Sequence, residues 1–127
     1  MNAPLHREMP ASAVLDAERT LQAVTAKWDG DIVRQLTDYI AIPAKSPGFD
    51  ADWSAHGYLE TVLRNAADWV LAQKIEGLRL EIIRLSRPDG TPRTPVLFFE
   101  IDATRAGSET TVLMYGHLDK QPEFSGW

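Results

Sequence analysis

His117 and Asp119 are the residues of this chain whose types and spacing best suit chemistry. They lie two positions apart in Thr111–Glu123, which reads T-V-L-M-Y-G-H-L-D-K-Q-P-E. In an extended segment, residues two apart point to the same side, so the imidazole and the carboxylate can approach one another. A neutral imidazole binds a metal through one nitrogen, while a carboxylate that holds the other N–H fixes the tautomer. We therefore interpret His117 as a candidate metal ligand and Asp119 as the carboxylate that orients it.

The residues around this pair favour a site at the end of a strand. Val112–Tyr115 is continuously apolar, which predicts a strand that is covered on both faces. Gly116 leaves space beside the site and permits unusual backbone angles, and Pro122 stiffens the departing loop. Reactive groups in α/β proteins commonly lie at the C-terminal ends of strands, so the position of the pair agrees with a functional role.

A plainer interpretation of the same residues stays open. The pattern His-x-Asp is short and occurs often by chance, so His117 could hydrogen-bond its own loop and Asp119 could cap the following turn. His56 could also be a ligand, but near the start of a predicted helix we expect it to face solvent. Asp50 and Asp52 flank that helix start and are better explained as caps than as cation ligands.

Composition excludes several classes of site and partner. The chain has 127 residues, which is room for one domain or part of a larger one, and no cysteine, so any metal must be bound by His, Asp and Glu. A net charge of −5 argues against a nucleic-acid surface. No apolar run reaches membrane-spanning length and the N-terminus lacks the apolar core of a signal peptide. We therefore expect neither a nucleic-acid nor a membrane partner, and a cytoplasmic location by default.

Hydrophobic periodicity predicts three helices after a flexible tail at residues 1–11. The tryptophans at helical spacing, Trp28 and Trp69, are predicted to be core residues. The helices are expected over about Ser12–Lys27, ended by Asp29-Gly30, then over Asp31–Ala41, and then over Ser54–Lys74, ended by Gly77.

The pattern then changes to the period of a strand. Leu78, Leu80 and Ile82 alternate with charged residues, and the phase shifts at Ile83, which suggests a bulge. A turn signal at 88–91 separates this run from Val96–Ile101, so the two strands are expected to pair as an antiparallel hairpin. The predicted order is helices, a β-hairpin and then the buried strand, which belongs to the α/β class.

The string V-L-M-Y-G-H-L-D-K-Q-P-E resembles the first metal-binding motif of the dizinc metallopeptidase family that contains carnosine dipeptidase, aminoacylase and bacterial glutamate carboxypeptidase. Upstream, I-A-I-P-A-K-S-P-G-F-D at Ile40–Asp50 resembles the family's Ile-Pro-x-x-Ser loop. T-P-V-L-F-F-E-I at Thr94–Ile101 resembles the strand before the metal strand. The likeness covers most of residues 29–127 and is nearest to the dipeptidase-like branch. It implies the N-terminal part of a zinc-exopeptidase-like α/β sandwich with a mixed sheet.

The resemblance also implies roles for the pair. His117 would be a zinc ligand and Asp119 the catalytic carboxylate that supports it. The cofactor would be two zinc ions, with Mn or Co as other divalent options. Residues 12–127 would be the N-terminal portion of the catalytic domain, incomplete at the C-terminus. The metal-bridging Asp, the paired glutamates and the lid-like domain would then follow downstream. The fragment alone would be inactive.

Three functions remain open from the sequence. The first is a metallopeptidase that uses metal-activated water to cleave dipeptides or small peptides, with a homodimeric parent as one option. The second is a deacylase or desuccinylase of N-acyl amino acids, which shares the same metal chemistry. The third is a non-catalytic, truncated interaction module, because unpaired strands and uncovered apolar faces favour association.

Overall fold

The computed structural model describes residues 16–104, 107 and 110–123. The chain divides into two compact units, the first ending at Tyr39 and the second beginning at Ile40. The expected tail at residues 1–11 and the expected helix start at Ser12 lie outside the described residues.

Helix α1 spans Ala17–Lys27 and begins at Asp16, whose side chain accepts a hydrogen bond from the backbone N–H of Arg19 at 3.0 Å. This contact satisfies one of the N–H groups that the first helical turn leaves unpaired. The predicted helix is therefore confirmed over Ala17–Lys27.

The predicted break at Asp29-Gly30 is wrong. Residues Trp28–Ile32 form a π-helical turn that leads directly into helix α2 at Val33–Ala41. The backbone N–H of Val33 bonds to the carbonyl of Trp28, five residues earlier. A single glycine costs about 1 kcal/mol in a helix, which is too little to end one when the wider π turn keeps its backbone bonded.

The core role predicted for Trp28 is also wrong. Its side chain is 48% exposed, and neither helix α1, the π turn nor α2 contains a buried residue. Helical spacing identified an apolar stripe, but the stripe remains largely exposed.

The third predicted helix is present as two. Helix α3 spans Trp53–His56 and helix α4 spans Tyr58–Ala72, with Gly57 between them at a φ of +71°. A left-handed residue ends α3 by turning the chain, and glycine adopts this conformation without a steric penalty. The α4 helix ends at Ala72, so the terminating role predicted for Gly77 is wrong.

The antiparallel hairpin is confirmed. Strand β1 at Leu78–Ile83 pairs with β2 at Val96–Ile101 in a continuous register from Leu78↔Ile101 to Ile83↔Val96, so the suggested bulge is absent from this pairing. The connection closes where the N–H of Arg87 bonds to the carbonyl of Thr91 at 2.8 Å.

The core of the second unit lies along helix α4, which contacts β2. The half-buried side chains Leu78, Leu80, Ile82 and Leu97 share one face of the hairpin. The buried side chains of α4 are Leu59, Val62, Leu63 and Ala67, and Ala44 is buried in the loop between α2 and α3. The described part of the chain is thus an α/β arrangement of helices and a two-stranded antiparallel sheet.

The predicted buried strand at Val112–Tyr115 is wrong. These four residues have no strand assignment and are 79–92% exposed. An apolar run becomes a buried strand only when another strand and packed side chains cover it, and no such cover is present within the described residues. In the same part of the chain, no helix is both long and apolar enough to cross a membrane.

Candidate functional site

The structure brings His117 and Asp119 together. Atom Nδ1 of His117 lies 3.0 Å from Oδ1 of Asp119 and 3.1 Å from the backbone carbonyl oxygen of the same residue. Both neighbours are acceptors, so in the neutral imidazole the proton belongs on Nδ1. The contact predicted from their spacing is confirmed.

This tautomer determines what the imidazole can do. With Nδ1–H donating to Asp119, Nε2 carries the lone pair through which a neutral histidine binds a metal. The His117 side chain is 71% exposed and that of Asp119 is 37% exposed. The pair is therefore open to a ligand, to solvent or to another part of a protein.

A parallel β-bridge between Lys45 and Lys120 positions the chain directly after the pair. The backbone N–H of Lys120 donates to the carbonyl of Ala44, and the N–H of Ser46 donates to the carbonyl of Lys120, both at 2.9 Å. Ala44 itself is fully buried. The segment that carries His117 and Asp119 is thus attached to the 42–46 loop, which lies next to the core of the second unit.

Two side-chain contacts add to this bridge. The ammonium of Lys120 donates to the carbonyl of Ile42, and burial lowers the pKa of this lysine. The ammonium of Lys45 lies 3.3 Å from the carboxylate of Glu123. The pKa of Glu123 is lowered first by a backbone hydrogen bond and then by Lys45. The Lys45–Glu123 pair is largely exposed, so it contributes little to stability.

A second histidine–aspartate pair was not expected from the sequence. Nδ1 of His56 lies 2.8 Å from Oδ2 of Asp50, and Oδ1 of Asp50 accepts a hydrogen bond from the N–H of Asp52 at 3.2 Å. The hydrogen bond to Asp50 raises the pKa of His56. His56 is partly exposed, as predicted, but Asp50 bonds to a side chain as well as to the loop backbone. The available signal in the sequence was an acidic residue six positions before a histidine.

The described residues are sufficient for one ligand of a metal site but not for a complete metal site. Among residues 16–104, 107 and 110–123, no group of three or more His, Cys, Asp or Glu side chains is placed to hold a metal ion. Catalytic zinc commonly has three protein ligands and an open position. His117 with Asp119 supplies a single imidazole and its orienting carboxylate, so further ligands would have to come from elsewhere.

No family model matches this chain, and no curated protein matches it. The family resemblance of Thr111–Glu123 therefore stays a prediction from the sequence.

Proposed function

We propose that this chain provides the first metal-ligand segment of a zinc-dependent hydrolase that cleaves the amide bonds of dipeptides or small peptides. The observation that carries the proposal is the contact between Nδ1 of His117 and Asp119. It orients the imidazole as a metal ligand requires, at the position where the sequence resembles a metal-binding motif.

A second observation supports the proposal independently of the contact between His117 and Asp119. Two segments resemble the same family, Ile40–Asp50 and Thr111–Glu123, and they are far apart in the sequence. The hydrogen bonds of Lys120 with Ala44 and Ser46 join these two segments. If both resemblances were due to chance, we would not expect hydrogen bonds between the two segments.

The geometry of the two residues supports a role for each. His117 would bind a divalent metal through Nε2, and Asp119 would hold the imidazole in that tautomer. A bound zinc ion in such a hydrolase polarises the scissile carbonyl and lowers the pKa of a bound water. Since one imidazole cannot hold a catalytic metal alone, we propose that the other ligands lie outside the described residues.

The proposal is tested with the protein encoded by the complete reading frame, purified and loaded with Zn²⁺, Mn²⁺ or Co²⁺. We expect metal-dependent hydrolysis of a panel of dipeptides that is abolished by a chelator and restored by adding the metal back. N-acyl amino acids in the same panel test the deacylase alternative, because preference for them would assign the metal chemistry to that substrate class. Absence of hydrolysis with every substrate and metal would contradict the proposal.

The 127-residue chain is the matched control. Because its described residues hold no group of three or more side chains placed to bind a metal ion, we expect no hydrolysis of dipeptides and no tight, stoichiometric binding of two zinc ions in a calorimetric titration. Tight binding of two zinc ions by this chain would show that it holds a complete site.

A further inference from the structure

We propose that Lys120 is a positioning residue for His117: it attaches the His117–Asp119 segment to the 42–46 loop and so sets the orientation of the imidazole. The inference rests on the proposed metal role of His117, but its contacts and its test concern the chain itself.

Lys120 contacts the 42–46 loop through its side chain, its backbone N–H and its backbone carbonyl. Its N–H donates to the carbonyl of Ala44, and its carbonyl accepts from the N–H of Ser46. Its ammonium donates to the carbonyl of Ile42, which also accepts from the N–H of Ala44 at 2.8 Å. The ammonium thus binds the carbonyl that closes the tight turn at 42–44, and this turn presents Ala44 to the backbone of Lys120.

The residues before His117 provide much less restraint. Val112–Tyr115 is 79–92% exposed and makes no strand pairing within the described chain. The orientation of the imidazole therefore depends on the residues on its C-terminal side. Asp119, whose carboxylate and carbonyl both face Nδ1, is bonded directly to Lys120 in the chain. Fixing the backbone of Lys120 fixes the carbonyl of Asp119 and limits the positions of its carboxylate.

The ammonium has a specific part in this arrangement. A charged donor strengthens a hydrogen bond to a carbonyl, and its partly buried position reduces competition from water. A methionine at this position would keep the unbranched, apolar part of the side chain but leave the Ile42 carbonyl without this donor. An arginine would keep a charged N–H donor. The two substitutions therefore separate packing from the hydrogen bond.

The first measurement is amide hydrogen exchange on the unmodified 127-residue chain. We expect the amides of Ser46 and Lys120 to be protected roughly tenfold or more relative to those of Leu113 and Tyr115, since only the first two donate within the β-bridge. Equal exchange at all four amides, after correction for intrinsic rates, would overturn the proposal without any variant.

The second measurement follows the imidazole nitrogens of His117 by ¹⁵N NMR at pH 8, where imidazoles are mostly uncharged. We expect the Nδ1–H tautomer to dominate in the unmodified chain. Lys120→Met should shift the nitrogens toward a mixture of tautomers, and Lys120→Arg should restore the original signature. Lys74→Met removes an exposed lysine after helix α4 and should change nothing.

Protection of amides in helix α4 shows whether each variant folds. Unchanged His117 nitrogens in a folded Lys120→Met protein would overturn the proposal, and so would failure of Lys120→Arg to restore them. If Lys120→Met does not fold, the exchange result on the unmodified chain decides the question. If the complete protein proves to have no hydrolase activity, the amide exchange and the His117 nitrogen signals still test the role of Lys120. The two proposals can therefore be contradicted independently.

Discussion

Two histidine–aspartate pairs occur in the described residues of the second unit, and they differ in sequence spacing, exposure and surroundings. His56 and Asp50 are six residues apart, with Nδ1 and Oδ2 separated by 2.8 Å at the start of the helical region. His117 and Asp119 are two residues apart at 3.0 Å and follow an exposed apolar run. Each aspartate also has a backbone contact, but Asp50 accepts from an N–H whereas the carbonyl of Asp119 faces its own histidine.

A histidine–carboxylate contact is therefore not by itself a sign of a metal ligand. In the first pair the aspartate is only 14% exposed and ties a loop to the end of helix α3, which is a structural task. In the second pair both side chains are more exposed and lie beside a backbone bridge rather than within a helix. The sequence around each pair, and not the pair, distinguishes the proposed ligand from the structural contact.

The largest expected difference between the pairs is in activity. In the protein encoded by the complete reading frame, we expect His117→Ala to lower kcat/KM for dipeptides by more than about 100-fold. Loss of a metal ligand should exceed the loss of 10–100-fold typical of removing its supporting group. The matched variant His56→Ala should stay within about threefold, because it breaks only a partly exposed contact. Steady-state kinetics at saturating metal concentration measures kcat/KM of both variants. Comparable losses in the two variants would contradict the assignment of a metal role to His117 and a structural role to His56.

The apolar residues next to each pair give the second contrast. Leu63, in the helix after His56, is 4% exposed, whereas Leu113, in the run before His117, is 89% exposed. We expect Leu63→Ala to lower the free energy of unfolding by about 2–5 kcal/mol, because it leaves a cavity. Leu113→Ala should change it by less than about 0.5 kcal/mol. Urea unfolding of the 127-residue chain measures both, and a large loss for Leu113→Ala would show that the exposed run is packed in solution.

The elements that the sequence predicted are those determined by local pattern. The hairpin follows from alternation in Leu78–Ile83, strand-favouring residues in Val96–Ile101 and turn residues between them, and the structure contains it. Helix α1 likewise follows from the spacing of its own apolar residues, whereas its cap at Asp16 was not predicted. The buried strand at Val112–Tyr115 failed because burial depends on partners, which a local pattern does not reveal.

In the candidate site, too, the contact between residues close in sequence was predicted and the contact between distant residues was not. The contact between His117 and Asp119 was predicted because residues two apart in an extended chain share a side. The contact of Lys120 with Ile42 joins residues 78 positions apart, and nothing in the spacing of either segment indicates it. The pair of His56 and Asp50 was missed for another reason: Asp50 was correctly placed beside a helix start, but a carboxylate has two oxygens and can hold a second partner.

The smallest expected effect is on the titration of His56. Its hydrogen bond with Asp50 raises its pKa above the ordinary value of about 6.5. The stabilisation from charged His56 is therefore complete below about pH 6.5 and is lost as the pH rises through the higher folded-state pKa. Asp50→Asn should lower this pKa toward its ordinary value in an NMR titration. Asp52→Asn, which removes only a weaker Coulombic contribution, should lower it less. An unchanged titration midpoint in Asp50→Asn would mean that the pair does not form in solution, and the contrast with His117 and Asp119 would then rest on one pair alone.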